Sequence, residues 1–240
     1  MDYRDYLDLI GPESAALADA AASVPLTTPV PMCLDWTMAV LVTHAAQGQH
    51  WMRLLVDTHA KERLPLSALP QPPEPAALIP WFREATRAIL ATLGAADPAA
   101  PVWTWTNERR VGFWARRQTH EIAVHRWDAQ HAAGVATPLP TMLAADGVDE
   151  LLELLPFLPG TRTGAGETVR LHCTDAPGEW LVRLAPSGLE VTREHTKGDA
   201  AARGPASDLD LFLWGRAPLE ALEVFGDRDL LVRLQQVTAL

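Results

Sequence analysis

The chain has 240 residues, 48% of them hydrophobic, which is enough for one large domain or two modest ones with a real core. Its formal net charge of −10 argues against nucleic acid or an anionic membrane as the main partner. There is no apolar run of about 18 residues and no signal-peptide layout, and two cysteines cannot form a disulfide framework. These features predict a soluble, cytoplasmic protein.

The first two-thirds of the chain predicts helices. Asp35 is the expected N-cap of the second helix, and Gly94 is the expected stop of the third. A proline cluster at 69–75 separates these two helices. The five helical patterns cover about residues 3–23, 35–60, 76–93, 107–133 and 140–155.

The last third changes from a period of 3.6 to a period of 2. Residues 156–167 have the composition of a linker, and a turn at 186–188 predicts a hairpin. The expected strands are 168–174, 179–186 and 188–194, and helices follow at about 207–214 and 227–239. The predicted fold class is therefore α+β: an up-and-down helical bundle over residues 1–157, then a small α+β domain over 166–240.

Glu121 and His125 are the most informative residues of the fourth helix. They fall on or beside its apolar stripe, and a buried carboxylate needs a partner, a proton or a metal. The Glu-x3-His spacing aims both side chains at one point, as a divalent metal requires. The opposite side is predicted to be wet, with Arg109, Arg110, Arg116, Arg117, Arg126 and Gln130 on it.

A third ligand is expected from a facing helix, and His44 is the geometric candidate. It lies within the apolar stripe of the second helix, and Gly48, one turn on, leaves room beside the imidazole. The alternative is a buried Glu–His hydrogen bond without metal. Asp128 is either an acceptor that orients an imidazole N–H or a solvated helix residue, and the solvated reading is favoured.

Three segments carry a resemblance to a known family: 24–46, 119–134 with its THEIAVHRWD, and 208–231 with its LWGR. The chain resembles the mycothiol-dependent maleylpyruvate isomerase family, a branch of the DinB-like helical-bundle metalloproteins with a sterol-carrier-like C-terminal domain. The resemblance implies a DinB-like four-helix bundle at the N-terminus. It also implies that His44, Glu121 and His125 are catalytic residues that bind a divalent metal, usually Zn²⁺. Two histidines and one glutamate with open positions do not select sharply among metals, so nickel, iron and manganese stay alternatives.

The activity that the resemblance implies uses a low-molecular-weight thiol, mycothiol, as co-substrate on an electrophilic small molecule. The metal lowers the pKa of the thiol, and the thiolate attacks an activated double bond. Addition followed by rotation and elimination gives cis–trans isomerisation of an unsaturated acid. If the adduct is released instead, the protein is a thiol S-transferase. A third hypothesis, from another class, is that the protein is a non-catalytic binding module. Arg216 is expected to bind a carboxylate of the cofactor, or to form a surface or interdomain salt bridge.

Cysteine and tryptophan residues suggest further roles. Cys33, just before the second helix, is interpreted as a packing residue rather than a reactive thiol, and Cys173 as part of the core. Trp103 and Trp105 either line a pocket mouth or cover the end of the bundle.

Overall fold

The computed structural model describes residues 1–157 and 164–238, and it confirms the α+β class. The chain divides into two compact units, residues 1–137 and 138–240. Among the described residues, no helix combines the length and the apolar character needed to cross a bilayer.

The first unit consists of a bundle of four long helices, as predicted. Helices α1 and α2 each pack against both α3 and α4. The helices are α1 (Tyr3–Ala22), α2 (Met38–Asp57), α3 (Pro75–Ala95) and α4 (Val111–Ala132).

Local chemistry explains where these helices begin. At the start of α1, the Asp2 carboxylate accepts hydrogen bonds from the Arg4 and Asp5 backbone N–H groups at 2.8 and 3.0 Å, which forms a capping box with Asp5. Helix α2 starts later than predicted because Thr37, not Asp35, is its N-cap. Asp35 has a φ of 64° in the turn before the helix, a conformation that Asp tolerates better than most residues.

Helix α4 is buried around much of its circumference, so the prediction of a wet side is wrong for Arg117 and Arg126. Arg117 and Arg126 are 1% and 3% exposed. Arg126 donates from Nε to Glu13 Oε2 at 2.8 Å, and the Thr119 hydroxyl donates to the Tyr6 carbonyl at 3.2 Å. Arg126 is buried because α1 supplies its polar partner, whereas Arg109 and Arg110, which precede the helix, are exposed as predicted.

Where the structure describes it, the second unit contains three α-helices and a five-stranded sheet. The helices are α5 (Thr141–Leu154), α6 (Ala206–Leu213) and α7 (Arg228–Thr238). The strands are β1 (Glu167–Cys173), β2 (Glu179–Ala185), β3 (Gly188–Thr192), β4 (Ala200–Gly204) and β5 (Glu223–Gly226).

The sheet has the order β3-β2-β1-β4-β5. The predicted hairpin is confirmed: β2 and β3 are antiparallel, with Ala185 opposite Gly188 across the turn. Strand β4 lies parallel to β1 and antiparallel to β5, and neither β4 nor β5 was predicted. Alternate residues of β1 (Val169, Leu171 and Cys173) are buried, so Cys173 is a core residue as expected.

The division between the units falls between Thr137 and Pro138, about one helix earlier than the boundary expected at 157. The reason is that α5 packs against α6 of the second unit. The Leu139 backbone N–H also donates to the Ser207 hydroxyl at 2.9 Å. Within the predicted linker, residues 158–163 lie outside the described residues, as does Ala239 of the last predicted helix.

Candidate metal centre

Helices α2 and α4 bring the three predicted ligands together. His44 Nε2 lies 3.0 Å from Glu121 Oε1, and His125 Nε2 lies 3.3 Å from the same oxygen. One donor atom from each residue falls within 4.8 Å of the other two. Because Glu121 and His125 stand one turn apart on α4, both side chains face the same point on α2.

The three ligands differ in burial. The His44 side chain is 43% exposed, whereas those of Glu121 and His125 are 23% and 9% exposed. A Cβ added at Gly48, one turn after His44, would meet no atom within 4 Å, which confirms the space expected there. The cluster is thus anchored in the bundle on one side and reachable by a small molecule on the other.

Asp128 contacts the buried side of His125. Its Oδ2 lies 3.0 Å from His125 Nδ1, and its side chain is fully buried, so the favoured reading of a solvated residue is wrong. The Cys33 thiol donates to the same carboxylate at a sulfur–oxygen distance of 3.5 Å. A carboxylate at Nδ1 fixes the orientation of the ring and leaves Nε2 to face Glu121.

Arg117 is the residue of this centre that the sequence interpretation missed. Its Nη2 donates to Glu121 Oε2 at 3.0 Å, so the two oxygens of Glu121 have different partners. The signal was present in the sequence, because Arg117 stands four residues before Glu121 and such pairs face each other on a helix.

The charges of the cluster stabilise one another. Burial acts to raise the pKa of Glu121, but hydrogen bonds from His125 and His44 and the charge of Arg117 hold that pKa well below its ordinary range. Burial acts to lower the pKa of His125, yet the carboxylates of Asp128 and Glu121 raise it to about 9. The protonated imidazole of His125 and the guanidinium of Arg117 together balance the two carboxylates.

Trp36 forms an aromatic wall beside the ligands. Its ring centroid lies 4.9 Å from that of His44 and 5.9 Å from that of His125. The indole thereby covers part of both imidazoles and restricts their rotation.

The donor set fits a small divalent cation. With metal–ligand distances of about 2.0–2.1 Å, two ligand atoms of a tetrahedral site lie roughly 3.4 Å apart, similar to the separations of His44 and His125 from Glu121. A second set of possible donors, Cys33 and Asp128, shares His125. Two imidazoles and one carboxylate, with one ligand half-exposed, correspond to the open three-ligand arrangement of catalytic rather than structural zinc sites.

Arg216 belongs to the second unit, just after α6. Its side chain is largely buried, and Nη1 donates to the Trp214 carbonyl at 2.7 Å. The guanidinium carbon lies 6.0 Å from the centroid of the Trp214 ring. Its expected role in binding a cofactor carboxylate stays a prediction.

Known proteins are similar to both halves of the chain. Residues 7–130 match the family described as Mycothiol maleylpyruvate isomerase N-terminal domain, and residues 142–233 match the MDMPI C-terminal domain. A crystal structure of the mycothiol-dependent maleylpyruvate isomerase superposes with a TM-score of 0.67 at 14% identity, covering 93% of each chain. A histidine-to-alanine mutant of that isomerase gives 0.66 at 13% identity, again over 93% of each chain. No curated protein sequence is similar enough to count as a match.

The protein is a helical bundle with a cluster of two histidines and one glutamate, joined in one chain to an α+β unit. The two family matches cover most of this chain. The chain belongs to the mycothiol-dependent maleylpyruvate isomerase family, and it is an enzyme.

Proposed function

We propose that the protein catalyses a mycothiol-dependent cis–trans isomerisation of an unsaturated acid. In this proposal His44, Glu121 and His125 hold a divalent metal, and zinc is the metal we expect. One observation carries the proposal: three donor atoms from two helices meet within 4.8 Å at a partly open position. When bound, the cation supplies Lewis-acid chemistry and lowers the pKa of a thiol that reaches it. The family membership supports mycothiol as that thiol.

Residues around the three ligands orient the His125 imidazole and neutralise the charge of Glu121. Asp128 accepts a hydrogen bond from the Nδ1–H of His125 and fixes the direction of Nε2, while Arg117 donates to the second oxygen of Glu121. Trp36 packs beside both imidazoles. In the proposed reaction the thiolate adds to the activated double bond, the resulting single bond rotates, and elimination releases both the thiol and the trans acid.

Arg216 is proposed to bind a carboxylate of the thiol or of the substrate. A guanidinium offers five N–H donors in a planar fork that matches a carboxylate. The Arg216→Lys variant keeps the charge but not the fork, so we expect KM to rise with the metal content unchanged.

The first test is the metal content per chain, measured by plasma mass spectrometry on protein without a histidine tag. We expect near-stoichiometric metal in the parent, loss of it in Glu121→Ala,His125→Ala, and no loss in His131→Ala, whose side chain is exposed. A parent chain that takes up no metal after incubation with zinc would contradict the proposal. The Glu–His cluster would then be a structural pair that holds no metal.

A second measurement separates isomerisation from S-transfer. The parent protein is incubated with maleylpyruvate and mycothiol, and the vinyl protons are followed by NMR while the thiol is quantified. Conversion to the trans acid with the thiol recovered supports the isomerase. A stable thioether product contradicts it and identifies a thiol S-transferase.

A further inference from the structure

A cavity of about 380 Å³ opens in the first unit, away from the candidate metal centre. About 20 Å of helix axis separate His44 from Asp57, the last residue of α2, and the cavity lies beyond that end. The cavity is lined by His59, Ala60, Lys61, Ala100, Pro101, Val102, Trp103 and Arg109. Its volume is within the range of small-molecule sites.

The apolar wall of this cavity is held by backbone hydrogen bonds. The Trp103 N–H donates to the Ala60 carbonyl at 2.7 Å, and the Val111 N–H donates to the Ala100 carbonyl at 3.0 Å. The Trp103 ring packs against Trp51, with centroids 5.8 Å apart. Trp103 therefore both covers the end of the bundle and lines a pocket, which joins the two roles considered from the sequence.

The charge of the lining has one sign. The cationic residues Lys61 and Arg109 are exposed, and no acidic side chain lines the cavity in the described part of the chain. Within residues 1–157 and 164–238, neither Lys61 nor Arg109 forms an ion pair, whereas the neighbouring Arg110 donates to Glu108 at 2.7 Å. Among the described residues, Lys61 and Arg109 thus lie unpaired beside one apolar cavity, although the chain as a whole has an excess of acidic residues and a net charge of −10.

His59 stands where glycine would be less strained. Helix α2 ends in a Schellman motif: the His59 N–H donates to Val56 at 3.1 Å and the Ala60 N–H to Leu55 at 3.0 Å, with His59 at a φ of 47°. This left-handed position favours glycine because a Cβ is strained there. The chain nevertheless places an imidazole there, at the edge of the cavity.

We propose that this cavity binds a small aromatic carboxylate. The aromatic body would pack against Trp103 and Val102, and the carboxylate would pair with Arg109 and Lys61 at the rim. The site is separate from the triad of His44, Glu121 and His125, so it goes beyond the proposed isomerase activity and does not depend on it.

The test uses 1-naphthoate as the probe and calorimetric titration of the full chain at low salt. We expect saturable binding that weakens as salt is raised, with at least a tenfold loss of affinity in Lys61→Gln,Arg109→Gln, about what one charge-assisted hydrogen bond contributes. The matched control is Arg4→Gln,Lys197→Gln, which removes the same charge from exposed positions elsewhere and should leave the affinity unchanged. The neutral analogue 1-naphthalenemethanol should bind at least tenfold more weakly.

Two further variants separate binding from folding. His59→Gly relieves the strained backbone, so we expect its melting temperature to be equal or higher while naphthoate binds more weakly. His44→Ala,His125→Ala should bind naphthoate as the parent does, even if it has lost metal. The proposal is overturned if the parent shows no saturable binding, if both charge variants lose affinity equally, or if binding disappears with the triad.

Discussion

Arg117 and Glu121 form an ion pair inside the helical bundle, with Nη2 3.0 Å from Oε2 and the arginine side chain only 2% exposed. Glu121 thus has a permanent cationic partner on one oxygen and the two imidazoles on the other. A bound metal would share Glu121 with this arginine, so the charge of the centre depends on a residue that does not itself ligate.

Replacing Arg117 by methionine should destabilise the protein. The change leaves a partly buried carboxylate without its guanidinium, so we expect the free energy of unfolding to fall by about 2–4 kcal/mol. Saturating zinc should restore part of this loss, because the cation replaces the missing positive charge. Denaturant unfolding with and without zinc measures both effects.

The control for this variant is Arg87→Met. Arg87 pairs with Glu84 on the exposed side of α3, and such a surface pair contributes no more than about 1 kcal/mol. Equal losses of stability in the two variants would contradict the role given to Arg117.

Asp128→Asn should weaken metal binding while the three ligands stay in place. An amide cannot hold the Nδ1 proton of His125 as a carboxylate does, so we expect metal affinity to fall about 10–100-fold. Competition with a chromophoric chelator measures this affinity. Asp8→Asn, which removes the same charge from an exposed position on α1, should bind metal as the parent does.

The two cysteines should differ in reactivity. Burial raises the pKa of Cys173 to about 12, with smaller contributions from nearby aspartates, so its thiol stays protonated at pH 9 in the folded protein. We expect an aromatic disulfide reagent at pH 8 to titrate one thiol, the half-buried Cys33, and to titrate both after unfolding. Cys33→Ser should leave none reactive in the folded state.

The same pKa gives a direction for stability against pH. Because the folded-state pKa of Cys173 lies above its ordinary value, its contribution to stability is complete below about pH 9 and is lost as the pH rises toward 12. A Cys173→Ala variant should therefore lose less stability than the parent between pH 9 and pH 11. Equal slopes would contradict a buried neutral thiol.

A substitution at Gly147 tests how tightly α5 packs against α6. A Cβ at this buried position would overlap the Asp210 carboxylate, so Gly147→Ala should destabilise by about 1–3 kcal/mol although alanine favours helices. Gly94→Ala, where a Cβ meets no atom within 4 Å near the end of α3, should instead stabilise by about 0.5–1 kcal/mol. Thermal unfolding of both variants checks the opposite signs.

The sequence predicted those features that depend on local periodicity or short spacing. The four helices of the bundle and strands β1 to β3 have clear periods, and the spacing of Glu121 and His125 placed them together. Strand β4 was missed because its sequence, AAARG, has no β-branched residue, and β5 has only four residues. These strands form because they pair in the sheet rather than because of local preference.

Long-range partners account for the remaining errors. Arg126 looked solvated because its partner, Glu13, stands on α1, more than a hundred residues earlier in the chain. Helix α5 looked like part of the bundle because nothing in its own amphipathic pattern distinguishes a partner in α6 from one in α4. A helical pattern shows that a face is buried, but not which element buries it.

The parallel pairing of β1 with β4 has a consequence for how the second unit folds. Strands β1, β2 and β3 follow one another through short connections, whereas Val169 meets Ala200 only after the chain has passed through both hairpins. Closing the longer loop costs more conformational entropy, and such non-local contacts slow folding. We therefore expect the three-stranded meander to form before β4 pairs with β1.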